Sequence, residues 1–174
     1  SGCVNSPVNF TENNTSARAI TDRHWNFADA SPFGTTANPT HTYTAPGSYL
    51  VKFTYTNDIG CVADTARKTV VITNPPVADF SHAGPYCVGS PVNFTDLSTA
   101  IPGGTYAWNF GDGNTSVAQN PTHTYATAGP FTVSLTVTSA SGCVSLPITK
   151  NITVNPKPTA DFALPVACLP IGAA

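Results

Sequence analysis

Residues 105–125 read TYAWNFGDGNTSVAQNPTHTY, and residues 24–43 read HWNFADASPFGTTANPTHTY. Both stretches set a tryptophan two positions before a phenylalanine, then an aspartate, then an N-P-T-H-T-Y run. Gly111 and Gly113 of the later copy are replaced by Ala28 and Ala30 in the earlier one. Trp108 and Phe110 alternate, as do Trp25 and Phe27, so in an extended strand each pair shares one face and enters a core. Gly111 and Gly113 permit positive φ, and Asp112 is placed to accept N–H groups of its own turn. The G-D-G therefore reads as the turn by which a strand leaves its sheet. A phosphate cradle would require a helix to follow, and no helical periodicity follows. Calcium would require converging carboxylates, whereas Asp112 has only Asn109 and Asn114 near it in sequence.

Other segments recur on the same ruler. CVNSPVNFTENNT at 3–15 returns as CVGSPVNFTDLST at 87–99, GCV at 60 returns at 142, and ADF at 78 returns at 160, a period of about 82 residues. The chain thus divides into a first unit over 1–74 without a leading ADF segment, a complete second unit over 75–156, and the start of a third over 157–174. Both ends read as cuts through a longer array. The joints NPPVADF and NPKPTADF carry prolines, as expected of short semi-rigid connectors.

Within each unit the period is two. FTVSLTVT places Phe131, Val133, Leu135 and Val137 on one face, and YLVKFTYT does the same with Tyr49, Val51, Phe53 and Tyr55. PVNFTD, YAWNF, HTY and KNITV read as further short strands between Gly, Pro, Asn and Ser clusters. Roughly seven short strands in about 80 residues predict all-β, immunoglobulin-like β-sandwiches in tandem, head to tail. Charged residues are 9% of the chain and the formal charge is −2, which argues against a nucleic-acid partner. No run of eighteen apolar residues is present, so no membrane insertion is expected of this segment. The apolar fraction of 41% with regularly spaced cysteines indicates a folded β protein of an oxidising, extracellular or cell-surface compartment.

WNFGDG followed by NPTHTYATAGPFTVSLTVTSASG resembles the PKD (polycystic kidney disease) domain, whose signature is W-[DN]-F-G-D-G, then P-[TS]-H-x-Y, then G-x-[YF]-x-V-x-L-x-V. The resemblance spans the second unit nearly end to end. The first unit keeps Trp25, Phe27, NPTHTY with His41 and Tyr43, and the alternating strand, but lacks the G-D-G. The resemblance implies an extracellular immunoglobulin-like sandwich that serves as spacer or adhesive module in surface proteins and secreted hydrolases. The cysteine-bearing form with a G-C turn is similar to repeats of giant Bacteroidota surface proteins, including gliding adhesins and type IX secretion cargo.

His41 and His123 occupy identical contexts, each two positions before a tyrosine, Tyr43 and Tyr125. With one repeated histidine per unit and no Cys, Asp or Glu at ligand spacing, neither a zinc site nor a nucleophilic triad is expected. Each histidine is expected to bond neighbouring backbone. No metal, no cofactor and no catalytic residue is assigned.

The cysteines leave two pairings open. Cys3 and Cys87 precede the PVNF strands, Cys61 and Cys143 follow the long alternating strands, and Cys168 opens the third unit. Recurrence within each unit favours Cys3–Cys61 and Cys87–Cys143, each closing a loop of nearly sixty residues, worth roughly 4 kcal/mol in the chain-entropy description. Immunoglobulin connectivity, however, sets those turns at opposite ends of a sandwich, about 25 Å apart at ~3.3 Å per strand residue. The alternative is a bond from one unit to the next, Cys3 to Cys143, with Cys168 and the others paired outside the segment. Asn-x-Ser/Thr triplets at Asn9, Asn13, Asn14, Asn93, Asn114 and Asn151 arise readily in an Asn- and Thr-rich chain. Asp64-Thr65-Ala66 resembles the O-glycan acceptor motif of Bacteroidota, with Thr65 as acceptor.

The expected function is a non-catalytic, extracellular spacer or adhesive segment of a larger repetitive protein. Its expected partners are neighbouring repeats, with homotypic assembly or a surface glycan or protein beyond them. The alternative is a set of accessory carbohydrate- or protein-binding domains of a secreted hydrolase.

Overall fold

A computed structural model describes residues 1–13, 18–99 and 103–163. Asn14, Cys168 and most of the third unit fall outside them. The described residues form strands and turns with no helix.

The first unit contains β1 (Gly2–Cys3), β2 (Pro7–Asn9), β3 (Ile20–Asn26), β4 (Thr40–Thr42), β5 (Gly47–Asn57) and β6 (Ala66–Thr73). One sheet has the order β1-β6-β5-β3, with β1 parallel to β6, and a second is the pair β2-β4. The second unit contains β7 (Phe80–Ala83), β8 (Pro91–Asp96), β9 (Thr105–Asn109), β10 (Thr115–Ser116), β11 (Thr122–Thr124), β12 (Gly129–Thr138) and β13 (Ile148–Val154). Its sheets run β10-β9-β12-β13 and β11-β8-β7. The parallel contact recurs there as a bridge between Cys87 and Asn155.

The alternating pattern of β12 does what period two requires. Val133, Leu135 and Val137 are wholly buried, while the intervening residues face outward or sit part-buried. They meet Val92 and Phe94 of β8, Phe80 of β7, and Trp108 and Phe110 from β9 and its exit, so the core is the layer between two sheets. Full burial of each such ring or branched side chain contributes on the order of 2 kcal/mol. Trp25, Phe27, Tyr43, Val51, Val70 and Ile72 build the matching core of the first unit. Both indoles are interior, Trp25 at 6% and Trp108 at 2% exposure, and each Nε1 donates to a carbonyl, Thr36 at 3.0 Å and Ala118 at 2.9 Å.

The units differ in two places. Nothing among the described residues of the first unit corresponds to β7, so Val8, Phe10 and Phe53 stay half-buried where Val92, Phe94 and Leu135 are enclosed. The second difference lies in the turn after the tryptophan strand. Gly111 and Gly113 have φ of 83° and 93°, and a Cβ on Gly111 would lie 2.6 Å from the Thr132 carbonyl oxygen. Ala28 and Ala30 adopt the same left-handed conformation at φ 63° despite their side chains. An L-residue there is strained by roughly 1–2 kcal/mol. The double substitution Ala28→Gly, Ala30→Gly is therefore expected to stabilise the first unit by about 1 kcal/mol or more. Urea unfolding followed through first-unit amide resonances measures it, and no gain would show that the turn is unstrained.

Candidate functional site

The repeated W-N-F, Asp and H-T-Y elements converge on one tie between sheets in each unit. In the second unit Asp112 follows β9 of one sheet and His123 lies on β11 of the other. His123 Nε2 donates to the Asp112 carboxylate at 2.7 Å, and the imidazole stacks on the Phe110 ring with centroids 4.1 Å apart. Tyr125 meets that imidazole edge-on at 4.7 Å and donates its hydroxyl to the Phe110 carbonyl at 3.1 Å. The first unit repeats the tie with Asp29: His41 donates at 2.6 Å, stacks on Phe27 at 4.0 Å, and Tyr43 donates to the Phe27 carbonyl at 3.2 Å.

This corrects one expectation. The repeated histidines bond a carboxylate, not neighbouring backbone, because the turn folds Asp29 and Asp112 back over the strand that carries them. The first unit keeps the tie without G-D-G, since the aspartate is the working residue and is present as A-D-A. The shared Asp29 and Asp112 were the available signal.

The turn prepares the carboxylate. Asn109 Oδ1 accepts from Gly111 N–H and Asp112 Oδ1 accepts from Asn114 N–H; Asn26, Ala28, Asp29 and Ser31 repeat both bonds. Burial alone would raise the Asp112 pKa, but donation by His123 and Asn114 outweighs it and holds the carboxyl below its ordinary 3.8. Asp29 behaves alike: burial is overcome by Ser31 and His41. Burial, with the carboxylate next in effect, pushes Tyr43 and Tyr125 up to about 12. Among the described residues no buried side-chain nitrogen or oxygen is left without a hydrogen-bond partner, which is the condition of a structural tie. Among the described residues no three His, Cys, Asp or Glu side chains come together as metal ligands.

The cysteines form the second candidate site. Cys3 bonds Cys143, with Cα atoms 5.6 Å apart across 140 residues of chain. The favoured pairing within each unit is thereby corrected: Cys61 is free and exposed, and Cys87 is free and part-buried. The reason is the geometric one, since the turn before β2 and the turn after β5 lie at opposite ends of a sandwich and a disulfide spans only about 6 Å between Cα atoms. Cys3 sits beside Thr73 at the end of β6, where the first unit hands over to the second. Cys143 lies in the turn after β12, held by its own N–H donating to Ser139 Oγ at 3.1 Å. Thr73 Oγ1 and Ser141 Oγ meet across the same joint at 3.1 Å.

The remaining sites are unremarkable in geometry. Thr65 is part-buried after an exposed Asp64. Asn9, Asn93 and Asn151 lie on strands, and the side-chain oxygen of each accepts from a cross-strand threonine hydroxyl.

Comparison with known proteins follows these lines. A family profile described as PKD domain matches residues 1–72 and again 73–154. Polycystin-1 of Homo sapiens is 36% identical over 104 residues, covering 58% of this chain and 2% of that protein. Collagenase ColA of Bacillus cereus is 38% identical over 104 residues, covering 57% of this chain and 10% of that protein. This chain therefore spans a small part of the relatives it matches. The fibronectin(III)-like modules of Clostridium thermocellum CbhA align over 92% of this chain and 93% of theirs at 14% identity and a TM-score of 0.55, a likeness of fold.

Because the Asp112 carboxyl is held below its ordinary value, the tie contributes stability above about pH 4 and loses it as the pH falls through the lowered folded value. Asp112→Ala is expected to cost about 2 kcal/mol at neutral pH, the scale of a charge-assisted hydrogen bond. It should also flatten the acid limb of stability against pH. Denaturant unfolding of the second unit between pH 3 and 7 tests both, and an unchanged midpoint would show that the His–Asp bond ties nothing.

Proposed function

The chain belongs to the PKD domain family, and on that premise we propose that it is a spacer segment of a secreted or cell-surface protein, stiffened by disulfides between consecutive units. The PKD domain is a non-catalytic module. One observation carries the reading: Cys3 and Cys143 join different units. A bond within a sandwich would serve the stability of that sandwich. A bond across the joint adds a second attachment to the Pro75–Pro76 connector and restrains swivelling of one unit on the next. The bond also supports an oxidising location, and among the described residues no helix is long and apolar enough to cross a membrane. The G-C turns at Gly60–Cys61 and Gly142–Cys143, with the Asp64-Thr65-Ala66 triplet, favour the finer reading of a repetitive Bacteroidota surface protein with Thr65 glycosylated.

A second reading has its own support, because a relative matched over 57% of this chain is named a collagenase. There the segment would be an accessory binding module. Its indoles are not available for stacking on a sugar or peptide, since Trp25 and Trp108 fill the two cores. Binding of the folded chain to insoluble collagen or to a glycan array would favour this reading over the spacer.

The spacer reading expects reduction of the Cys3–Cys143 bond, or Cys3→Ser, to broaden the distribution of inter-unit distances in small-angle scattering while each unit keeps its melting temperature. An identical scattering curve with and without the bond would defeat it.

A further inference from the structure

Beyond their two differences of fold, the units differ in the chemistry of one outer face, that of the sheet holding β3, β5 and β6 in the first unit and β9, β12 and β13 in the second. The registers match. His24 stands opposite Thr54 as Ala107 stands opposite Thr136, and Asn26 opposite Lys52 as Asn109 opposite Ser134. Lys52 faces Arg67 across β5 and β6, where the second unit has Ser134 facing Thr149. Gly34 bridges Trp25 as Ser116 pairs with Trp108, so Phe33 holds the place of Thr115. The second unit thus turns outward hydroxyls, an amide and a methyl group, whereas the first turns outward an aromatic ring and three basic side chains. The buried faces of the same strands are alike in the two units, so the core does not demand this difference.

On this face lies a pocket of about 270 Å³ lined by His24, Asn26, Phe33, Lys52, Thr54 and Thr65. Phe33 is 59% exposed and meets the His24 imidazole edge-on at 6.0 Å. His24 is anchored from the other side, where Nε2–H donates to the Asp22 carboxylate at 2.8 Å. Asn26 Oδ1 accepts from Ala28 N–H, which fixes the orientation of its amide. Arg67 donates to the Thr65 carbonyl at 3.4 Å, so the guanidinium is held at the rim of the pocket. Neither Lys52 nor Arg67 forms an ion pair with any described carboxylate. Like charges directly opposite each other on a sheet cost stability. An anion seated beside both reverses the sign of that interaction.

We infer that this pocket of the first unit binds an acidic sugar, a pyranose bearing a carboxylate, presented as a residue of a polysaccharide. The C–H face of the sugar ring lies on Phe33, its carboxylate meets Lys52 and Arg67, and its hydroxyls meet the Asn26 amide and the Thr54 hydroxyl. One apolar face, several hydroxyls and a negative charge are together the complement of what lines the pocket. An acidic peptide would satisfy the two cations, but it brings no saturated ring to Phe33 and few hydroxyls to Asn26 and Thr54. The volume suits a single monosaccharide residue, being just below the roughly 300 Å³ at which pockets begin to enclose a drug-sized ligand. A glycan on Thr65 would fill the same space, so binding belongs to the chain unmodified at that residue. The site gives the accessory-module reading a contact surface that the buried indoles do not, and it stands apart from the Cys3–Cys143 bond, so neither proposal falls with the other.

The test titrates tri-galacturonate, a trimer of carboxylated pyranoses, into the full chain at neutral pH and low salt, with Thr65 shown by intact mass to be unmodified. Amide shifts are expected at residues 24–26, 33 and 52–54, and none at 107–109 or 134–136. Neutral galactotriose is expected to bind at least tenfold more weakly. Lys52→Gln and Phe33→Ala are each expected to weaken tri-galacturonate binding roughly tenfold, the scale of one charge-assisted hydrogen bond or one ring contact, with the melting temperature kept. Lys68→Gln removes the same charge from the opposite face of β6, where Lys68 stands across from the buried Val51, and is expected to leave binding unchanged. Absence of shifts at these positions, equal binding of the neutral trimer, or equal weakening by Lys68→Gln overturns the inference. A hexaglutamate peptide that shifts the same residues to the same extent also overturns it, since the pocket would then read charge and not sugar.

Discussion

The hydrogen bond between His123 and Asp112, and its twin between His41 and Asp29, holds each unit's two sheets in register. A sandwich of two small sheets has a thin core, and most of the contact between its layers is apolar and non-directional. The tie adds direction. The imidazole lies flat on a phenylalanine of one sheet while its backbone belongs to the other, and its carboxylate partner is presented by a turn whose own N–H groups it accepts. The tyrosine two residues on donates back to that same phenylalanine. A slip of one residue in β4 or β11 would turn the histidine away and leave a part-buried carboxylate unpaired, so the tie specifies register as well as adding stability.

The recurrence of this tie explains why the fold was legible from residues alone, and where legibility stopped. Alternation in β5 and β12 and the spacing of Trp, Phe, His and Tyr carry the strands and the core, because burial of one face is a local, periodic property. The carboxylate partner was hidden by a bias toward glycine: G-D-G and A-D-A look different, yet Ala28 and Ala30 hold the same positive φ and Asp29 takes the same place. The histidine–aspartate separation in sequence, 12 residues in one unit and 11 in the other, crosses a loop and a change of sheet, which no periodicity encodes. The disulfide was hidden for a related reason. Recurrence within a repeat cannot say whether two cysteines meet inside a unit or across a boundary, and the answer depends on which end of the sandwich each turn occupies.

Among the described residues the leading strand is seen in the second unit, where it is part of the core. Phe80 closes the second core against the buried rings of Phe94 and Trp108, and the first core holds a Trp25–Phe53 stack at 4.1 Å between centroids. The leading strand belongs to both the connector and the core, since the same run that follows the prolines also supplies Asp79 and Phe80. In such an arrangement a pull on the connector is resisted by the Lys150 contacts and by the ladder of β7 on β8, loaded along the strand.

The placement of cysteines follows from that double role. A connector that becomes a core strand fixes where each unit begins relative to its own sheets, but it leaves rotation about the connector free. The Cys3–Cys143 bond restrains that freedom with a second attachment beside the connector, between the parallel β1–β6 end of one unit and the β12 turn of its successor. Two attachments define an axis where one defines only a pivot, and the hydroxyls of Thr73 and Ser141 fill the gap between them. The bond joins the cysteine before β2 of one unit to the cysteine after β12 of the other. Cys87 holds the place before β8 that Cys3 holds before β2, and Cys61 the place after β5 that Cys143 holds after β12, so within a unit the two cysteines stand at opposite ends of the sandwich.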